Sequence, residues 1–133
     1  MNLEILKIAS NTKNFKDIKN YTHYSKSKNP LCGDEIHIKL VISNLKIIDF
    51  GYQGKSCVYC QATASILSSK LINYKTIKIK ELCDYANAYF IENQRNLKKE
   101  WKFLDKLLSQ KNASRQQCIL LPFKTLKKIV SDL

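Results

Sequence analysis

Strict alternation of hydrophobic and polar positions occurs in one part of this chain, residues 35–42. Isoleucine or leucine occupies every even position from 36 to 42, and His37, Lys39 and Val41 lie between them. A period of two predicts a half-buried strand. Residues 43–44, Ser-Asn, are a turn candidate, and residues 45–52 are typical of the returning strand of a hairpin.

Helical spacing dominates the rest of the chain. The predicted helices cover residues 3–10, 58–72, 80–92, 97–109 and 118–130. The fourth carries Leu97, Trp101 and Leu104 as an apolar stripe against lysines, and the last can tolerate Pro122 only in its first turn.

Residues 11–31 and 111–114 are polar, and we expect irregular structure there. Strands come before the main helices, which predicts an α+β fold with helices packed on one face of a small antiparallel sheet.

The totals indicate one ordered domain over residues 1–133. The chain has only three glycines and two prolines, and no apolar run approaches the roughly 20 residues of a membrane span. Its first residues lack the features of a secretory signal, so we expect a soluble protein in the cytoplasm with no membrane partner.

The formal net charge of +12 comes mostly from lysine and suits either nucleic acid or an acidic protein surface. Four lysines lie along the predicted helix 97–109: Lys98, Lys99, Lys102 and Lys106. Such a stripe is usually the solvated face of an amphipathic helix, and no base-stacking motif accompanies it. A small nucleic-acid-binding protein is therefore the alternative from another functional class, and nucleic acid is not the expected partner.

Five cysteines in a reducing compartment are ligands, nucleophiles or small core residues rather than disulfide halves. Cys32 is separated from Asp34 by one glycine, which allows a turn that aims both side chains at one point. A thiolate with a carboxylate is a mixed ligand set for zinc or iron. The alternative is a plain turn before a strand.

Cys57 and Cys118 each fall at a predicted helix start, where the helix dipole stabilises a thiolate. Arg115, three residues before Cys118, is a candidate to stabilise charge on sulfur. We interpret Cys60 mainly as a small residue facing the sheet, with a lesser role as substitute ligand, and Cys83 as core. The two histidines, His23 in the irregular arm and His37 in the strand, are left out of the site.

Taken together, three segments resemble the U-type iron–sulfur cluster scaffold family, which comprises IscU, SufU and the N-terminal domain of NifU. They are residues 29–34, Asn-Pro-Leu-Cys-Gly-Asp; residues 54–65, from Gly-Lys-Ser-Cys to Ala-Thr-Ala-Ser; and residues 115–121, Arg-Gln-Gln-Cys followed by Leu121. The resemblance covers roughly the whole chain and implies an antiparallel sheet of about three strands covered by helices.

The resemblance also implies one exposed site made of Cys32, Asp34, Cys57 and Cys118. There a pyridoxal-phosphate-dependent cysteine desulfurase would deliver sulfur, a labile [2Fe–2S] cluster or iron would be held, and apo acceptor or carrier proteins would receive the cluster. Zinc is the alternative or resting metal. The persulfide acceptor would be Cys118 in the scaffold branch and Cys32 in a zinc-dependent sulfurtransferase branch, so a scaffold or sulfur carrier is expected rather than an independent enzyme.

Departures from the family pattern point to the SufU-type branch. Gln117 stands where the Isc-type members have a histidine, and residues 111–114 lack their Pro-Pro-Val segment. The long segment between Cys57 and Cys118, together with Arg115, is similar to the SufU type. Lys55 and Ser56 alter the usual glycine-rich turn. Cluster scaffolding and zinc-dependent sulfur transfer both remain open.

Overall fold

The computed structural model describes residues 2–133, so only Met1 of the predicted 1–133 domain lies outside it. Within that range the sheet has three antiparallel strands in the order β1-β2-β3: β1 at His23–Lys28, β2 at Glu35–Ser43 and β3 at Lys46–Gln53. The hairpin predicted from alternation is confirmed, with Leu40 opposite Phe50 in the register. The α+β class and the strand number are also confirmed.

Four α-helices accompany the sheet. They are α1 (Leu3–Ala9), α2 (Val58–Lys70), α3 (Thr76–Tyr89) and α4 (Gln116–Val130), with shorter 3-10 helices at Lys99–Leu104 and Gln110–Arg115. The register places the loop between β1 and β2 at the same end of the sheet as the segment that follows β3, and the start of α4 lies there as well. Those three segments carry Cys32, Cys57 and Cys118.

The core lies between the inner face of the sheet and helices α2 and α4. Ile36, Ile38 and Leu40 point into it and are at most 2% exposed, as the period of two requires. Ala62 and Ala64 of α2 are fully buried. Small side chains let this helix lie close to its neighbours, which brings its first residue to the end of the sheet.

The prediction of irregular structure over residues 11–31 is wrong in part, because β1 occupies His23–Lys28. His23 therefore begins a strand rather than lying in an irregular arm. The strand has little apolar content because it is a sheet edge, where Ser27 is its one buried residue. Backbone pairing with β2 orders this strand, and the pattern of its side chains does not predict it.

The predicted helix over 97–109 is also wrong. The chain forms a 3-10 helix at Lys99–Leu104, and Trp101 has non-helical torsions of φ −106° and ψ 16°. Trp101, Leu104 and Leu107 are all buried, and their spacing of three matches the 3-10 period rather than 3.6. The four lysines proposed for nucleic acid thus share no long helix face, and Lys106 pairs with Glu4 at 3.2 Å.

Two further boundaries differ from prediction. Residues 111–114 lie within the 3-10 helix Gln110–Arg115 instead of a loop. Helix α4 begins at Gln116, so Pro122 lies inside it rather than in its first turn. Ten of its side chains are buried, and this packing outweighs the backbone hydrogen bond that a proline cannot donate to the Cys118 carbonyl.

Cys83 gives the fold a measurable dependence on alkaline pH. Burial raises the pKa of its thiol from 9.0 to about 12, so the folded chain keeps a proton that the unfolded chain releases. Stability from this group is complete below pH 9.0 and is lost as pH rises toward 12. Urea unfolding at about pH 8 and about pH 10 should show a loss about 1.4 kcal/mol smaller in Cys83→Ala than in the native chain. Equal losses in the two proteins would contradict this assignment.

Candidate metal and sulfur site

The loop between β1 and β2 is a closed turn that presents Cys32 and Asp34. The Asn29 N–H donates to the Asp34 carbonyl at 2.7 Å, and the Gly33 N–H donates to the Asn29 carbonyl at 2.8 Å. The Asn29 Oδ1 accepts from the Leu31 N–H at 3.0 Å. Gly33 has φ +76°, a conformation that glycine adopts without penalty. The turn leaves Cys32 exposed and Asp34 only 6% exposed.

The segment between β3 and α2 is held against the start of β2. Gly54 has φ +136°, and a β-carbon there would overlap the Glu35 carbonyl oxygen. The Glu35 N–H donates to the Lys55 carbonyl at 2.9 Å. This contact places Cys57, the N-cap residue of α2, beside Asp34. The substitutions at 55 and 56 leave the required glycine in place.

Asp34 joins the two loops. Its Oδ1 accepts from the Cys57 backbone N–H at 3.0 Å, a hydrogen bond that also satisfies an otherwise unpaired amide at the start of α2. Its Oδ2 is buried and has no hydrogen-bond partner among the described residues. A buried carboxylate oxygen without a donor is costly unless a cation binds it.

Three of the four predicted ligands form one compact group. One ligand atom each from Cys32, Asp34 and Cys118 lies within 4.8 Å of the other two. Cys57 is not part of that group, although its side chain is near enough to influence Cys118. Two sulfurs and a carboxylate at this spacing fit a soft or borderline cation, with Cys57 at hand as a further ligand.

Electrostatics in the site disfavour a free thiolate at Cys118. Burial is the largest cause that raises the pKa of this thiol above its usual value, and the neighbouring Cys57 and Asp34 add to the increase. A cation among these groups would act in the opposite direction, so metal binding and proton release are coupled here.

A cleft of about 650 Å³ opens beside the group. Cys32, Cys118 and Arg115 line it together, so the charge-stabilising role of the arginine stays a prediction. The Arg115 guanidinium carbon lies 5.7 Å from the centre of the Tyr59 ring.

Gln117 has a role that the sequence did not reveal. Its Oε1 accepts from the Asn29 Nδ2 at 3.4 Å, a long hydrogen bond that links the Cys32 loop to α4. The residue that replaces the family histidine is therefore a connection between the segments that carry Cys32 and Cys118. Asn29 itself is only 7% exposed.

The other cysteines and the histidines lie outside the compact group. Burial raises the pKa of Cys60 to about 12, which makes it a poor ligand or nucleophile at neutral pH. The charges of Asp34, Cys57 and Cys32 add to this increase in the pKa, so Cys60 is close enough to the site to be influenced by it. His37 lies on the sheet, where its Nε2 is 2.7 Å from Glu35 Oε1.

Comparison with known proteins decides the family. The sequence model of the NifU-like N terminal domain matches residues 2–94, well over half of the chain. The chain belongs to this family. The resemblance to the U-type iron–sulfur cluster scaffold family, inferred from the sequence, is therefore confirmed. Cys32, Asp34 and Cys57 fall within the matched residues, and Cys118 lies beyond them.

Individual relatives agree with this assignment. The chain is 28% identical over 127 residues to the iron–sulfur cluster assembly scaffold protein IscU of Thermotoga maritima, covering 93% of this chain and 88% of that protein. The fold matches the N-terminal NifU-like protein of Brucella abortus with a TM-score of 0.86 at 20% identity, over 98% and 91% of the two chains. It matches the SufU of Fervidobacterium islandicum AW-1 with a TM-score of 0.86 at 21% identity, over 98% and 96%.

No helix in residues 2–133 combines the length and hydropathy that a bilayer crossing requires.

The two glycine turns lead to a matched prediction. Gly54→Ala meets both a strained φ and a backbone clash, whereas Gly33→Ala meets only the strained φ because the space around it is open. We expect Gly33→Ala to lower the free energy of unfolding by roughly 1–2 kcal/mol and Gly54→Ala to lower it by more. Urea unfolding measures both, and an equal cost would show that the Gly54 contact with Glu35 is not tight.

Proposed function

We propose that this chain accepts sulfur from a cysteine desulfurase and assembles a labile [2Fe–2S] cluster for transfer to apo acceptor proteins. The observation that carries the proposal is the approach of Cys32, Asp34 and Cys118 to within 4.8 Å around a buried carboxylate oxygen that lacks a donor. Family membership supports it, since the relatives include a cluster assembly scaffold.

The proposed ligands are Cys32, Asp34, Cys57 and Cys118. Thiolates are the usual ligands of iron–sulfur clusters, and a carboxylate in place of one thiolate gives a weaker, more exchangeable set. Exposure of Cys32 on a turn provides a route by which the cargo can leave. A scaffold needs both properties, because it must hold iron and sulfide and then release them.

Sulfur arrival is proposed as a persulfide transfer. The accepting thiolate attacks the terminal sulfur of a cysteine persulfide on the donor, and a new S–S bond forms as the donor's S–S bond breaks. The donor cysteine leaves as a thiolate and takes up the proton that the acceptor gave up. Reduction of the transferred sulfur to sulfide then takes two electrons from an external dithiol.

Accessibility favours Cys32 over Cys118 as the first acceptor. Cys32 is exposed, whereas Cys118 is 7% exposed and its pKa is raised. Arg115 at the mouth of the cleft is suited to attract the anionic persulfide. Cys118 would then receive the sulfur when the cluster forms.

Zinc-dependent sulfur transfer is the second candidate. Three thiols and one carboxylate are four donors of the types that zinc binds, and the Gln117 side-chain oxygen is already hydrogen-bonded to Asn29. In that case the chain would carry sulfur between proteins and stimulate a desulfurase without forming a cluster.

Substitution of the ligands tests the metal site. Cys32→Ala, Asp34→Ala and Cys118→Ala should each lower the bound iron or zinc at least tenfold, because the remaining donors cannot hold the ion. Metal analysis and visible spectra of anaerobically purified protein measure this and separate cluster from zinc. Cys83→Ala, which replaces a buried cysteine outside the group, is the matched control. Stoichiometric metal in all three ligand variants would show that these residues are not the metal ligands.

Mass spectrometry after incubation with a cysteine desulfurase and cysteine tests sulfur acceptance. We expect the native chain to gain the mass of one sulfur atom, and Cys32→Ser to gain it at least tenfold more slowly than Cys83→Ser. A normal rate in Cys32→Ser together with a loss in Cys118→Ser would assign the first acceptor to Cys118 instead.

A further inference from the structure

A second groove lies between β1 and α4, next to the thiol cleft. Residues 27–31 form one wall, and one face of α4 forms the other, through Gln117, Leu121, Lys124 and Lys128. Its volume is about 380 Å³. Asn29, Leu31, Gln117 and Lys124 line both this groove and the thiol cleft, so the two are continuous.

All charged side chains that line the groove are positive. Lys28, Lys124 and Lys128 are exposed on its walls, and no aspartate or glutamate from the described residues joins them. The thiol cleft continues this field with Arg115 and likewise has no acidic lining among those residues. Charge complementarity therefore favours an acidic ligand.

The strand side of the groove presents hydrogen-bonding groups as well as charge. β1 is an edge strand of the sheet, and the Lys26 carbonyl faces α4, where it accepts from Lys128 Nζ at 2.9 Å. Ser27 lies on the wall and is 9% exposed, and its Oγ has no partner in residues 2–133. An edge of this kind can pair with an extended segment of another chain.

The shape of the groove distinguishes a peptide from a small anion. A lone phosphate or carboxylate would not cover Leu31, which is 81% exposed. Leu31 stands at the junction of the two clefts, and Ile91, 79% exposed, lines the far side of the thiol cleft. An extended segment with acidic and occasional apolar side chains matches all of these features.

We propose that the groove between β1 and α4 docks an extended acidic segment of a partner protein. Lys28, Lys124 and Lys128 bind its carboxylates, the edge of β1 pairs with its backbone, and Leu31 contacts an apolar side chain. The docked segment runs toward Cys32 and so brings the partner to the thiol cleft. The proposal concerns a surface, and it holds whether the thiols carry a cluster, zinc or persulfide.

Fluorescence anisotropy tests the docking with a labelled peptide of about twelve residues that alternates glutamate with threonine around one central leucine. The full chain should bind it saturably at low salt. Combining Lys28→Glu, Lys124→Glu and Lys128→Glu should weaken binding at least tenfold. The matched control combines Lys13→Glu, Lys46→Glu and Lys99→Glu, which change the net charge equally at exposed lysines that line neither cleft. This control should weaken binding less than threefold.

Hydrogen exchange locates the bound peptide, and new protection confined to β1, residues 29–31 and α4 supports the proposal. Equal weakening in both triple variants would show general attraction to a basic protein and overturn it. Tighter binding of single-stranded DNA of similar charge, lost in the same groove variant, would assign the groove to nucleic acid. Because neither readout depends on metal, failure of docking is distinguishable from failure of the proposed cluster chemistry.

Discussion

The hydrogen bond from the Cys57 amide to Asp34 Oδ1 is the contact on which the arrangement of the site depends. It spans 23 residues of sequence and joins the turn after β1 to the start of α2. The amide belongs to a helix N-terminus, where it has no intrahelical acceptor, and the carboxylate would otherwise be buried without a donor. Each group satisfies the other, and the second carboxylate oxygen is left without a donor among the described residues.

That arrangement divides the functions of the site residues. Asp34 is buried and fixed by backbone contacts, so in the proposed site it would be the stationary ligand. Cys32 lies on a turn that is closed by backbone hydrogen bonds of Asn29 with Gly33 and Asp34. Its thiol is the exposed one of the site, so solvent reaches it most easily. A site with one buried anchor and one exposed thiol suits a cargo that must enter and leave. Cys60 is fully buried, and burial raises the pKa of its thiol, so it is poorly suited to that exchange.

Helix α4 supplies both the last thiol and the surface that leads to it. Its buried face packs on the sheet and α3, while Gln117, Lys124 and Lys128 remain on the side toward β1. The same helix thus connects the thiol cleft with the basic groove, and a partner that docks in one is positioned at the other. The contact of Gln117 with Asn29 lies at the junction of the two.

The sequence alone determined the hairpin, the helix start at Cys57, the presence of a last helix that contains Cys118, and the family, because alternation, helical spacing and short motifs are local properties. It did not determine β1, whose polar residues are ordered by pairing with β2, nor the 3-10 helix at Lys99–Leu104, whose apolar residues also fit an α-helical stripe. Tertiary structure alone decided that Pro122 lies inside α4, that Cys57 stands just outside the compact group, and that lysines from β1 and α4 share one groove. These features depend on contacts between segments far apart in the chain, and no local pattern records such contacts.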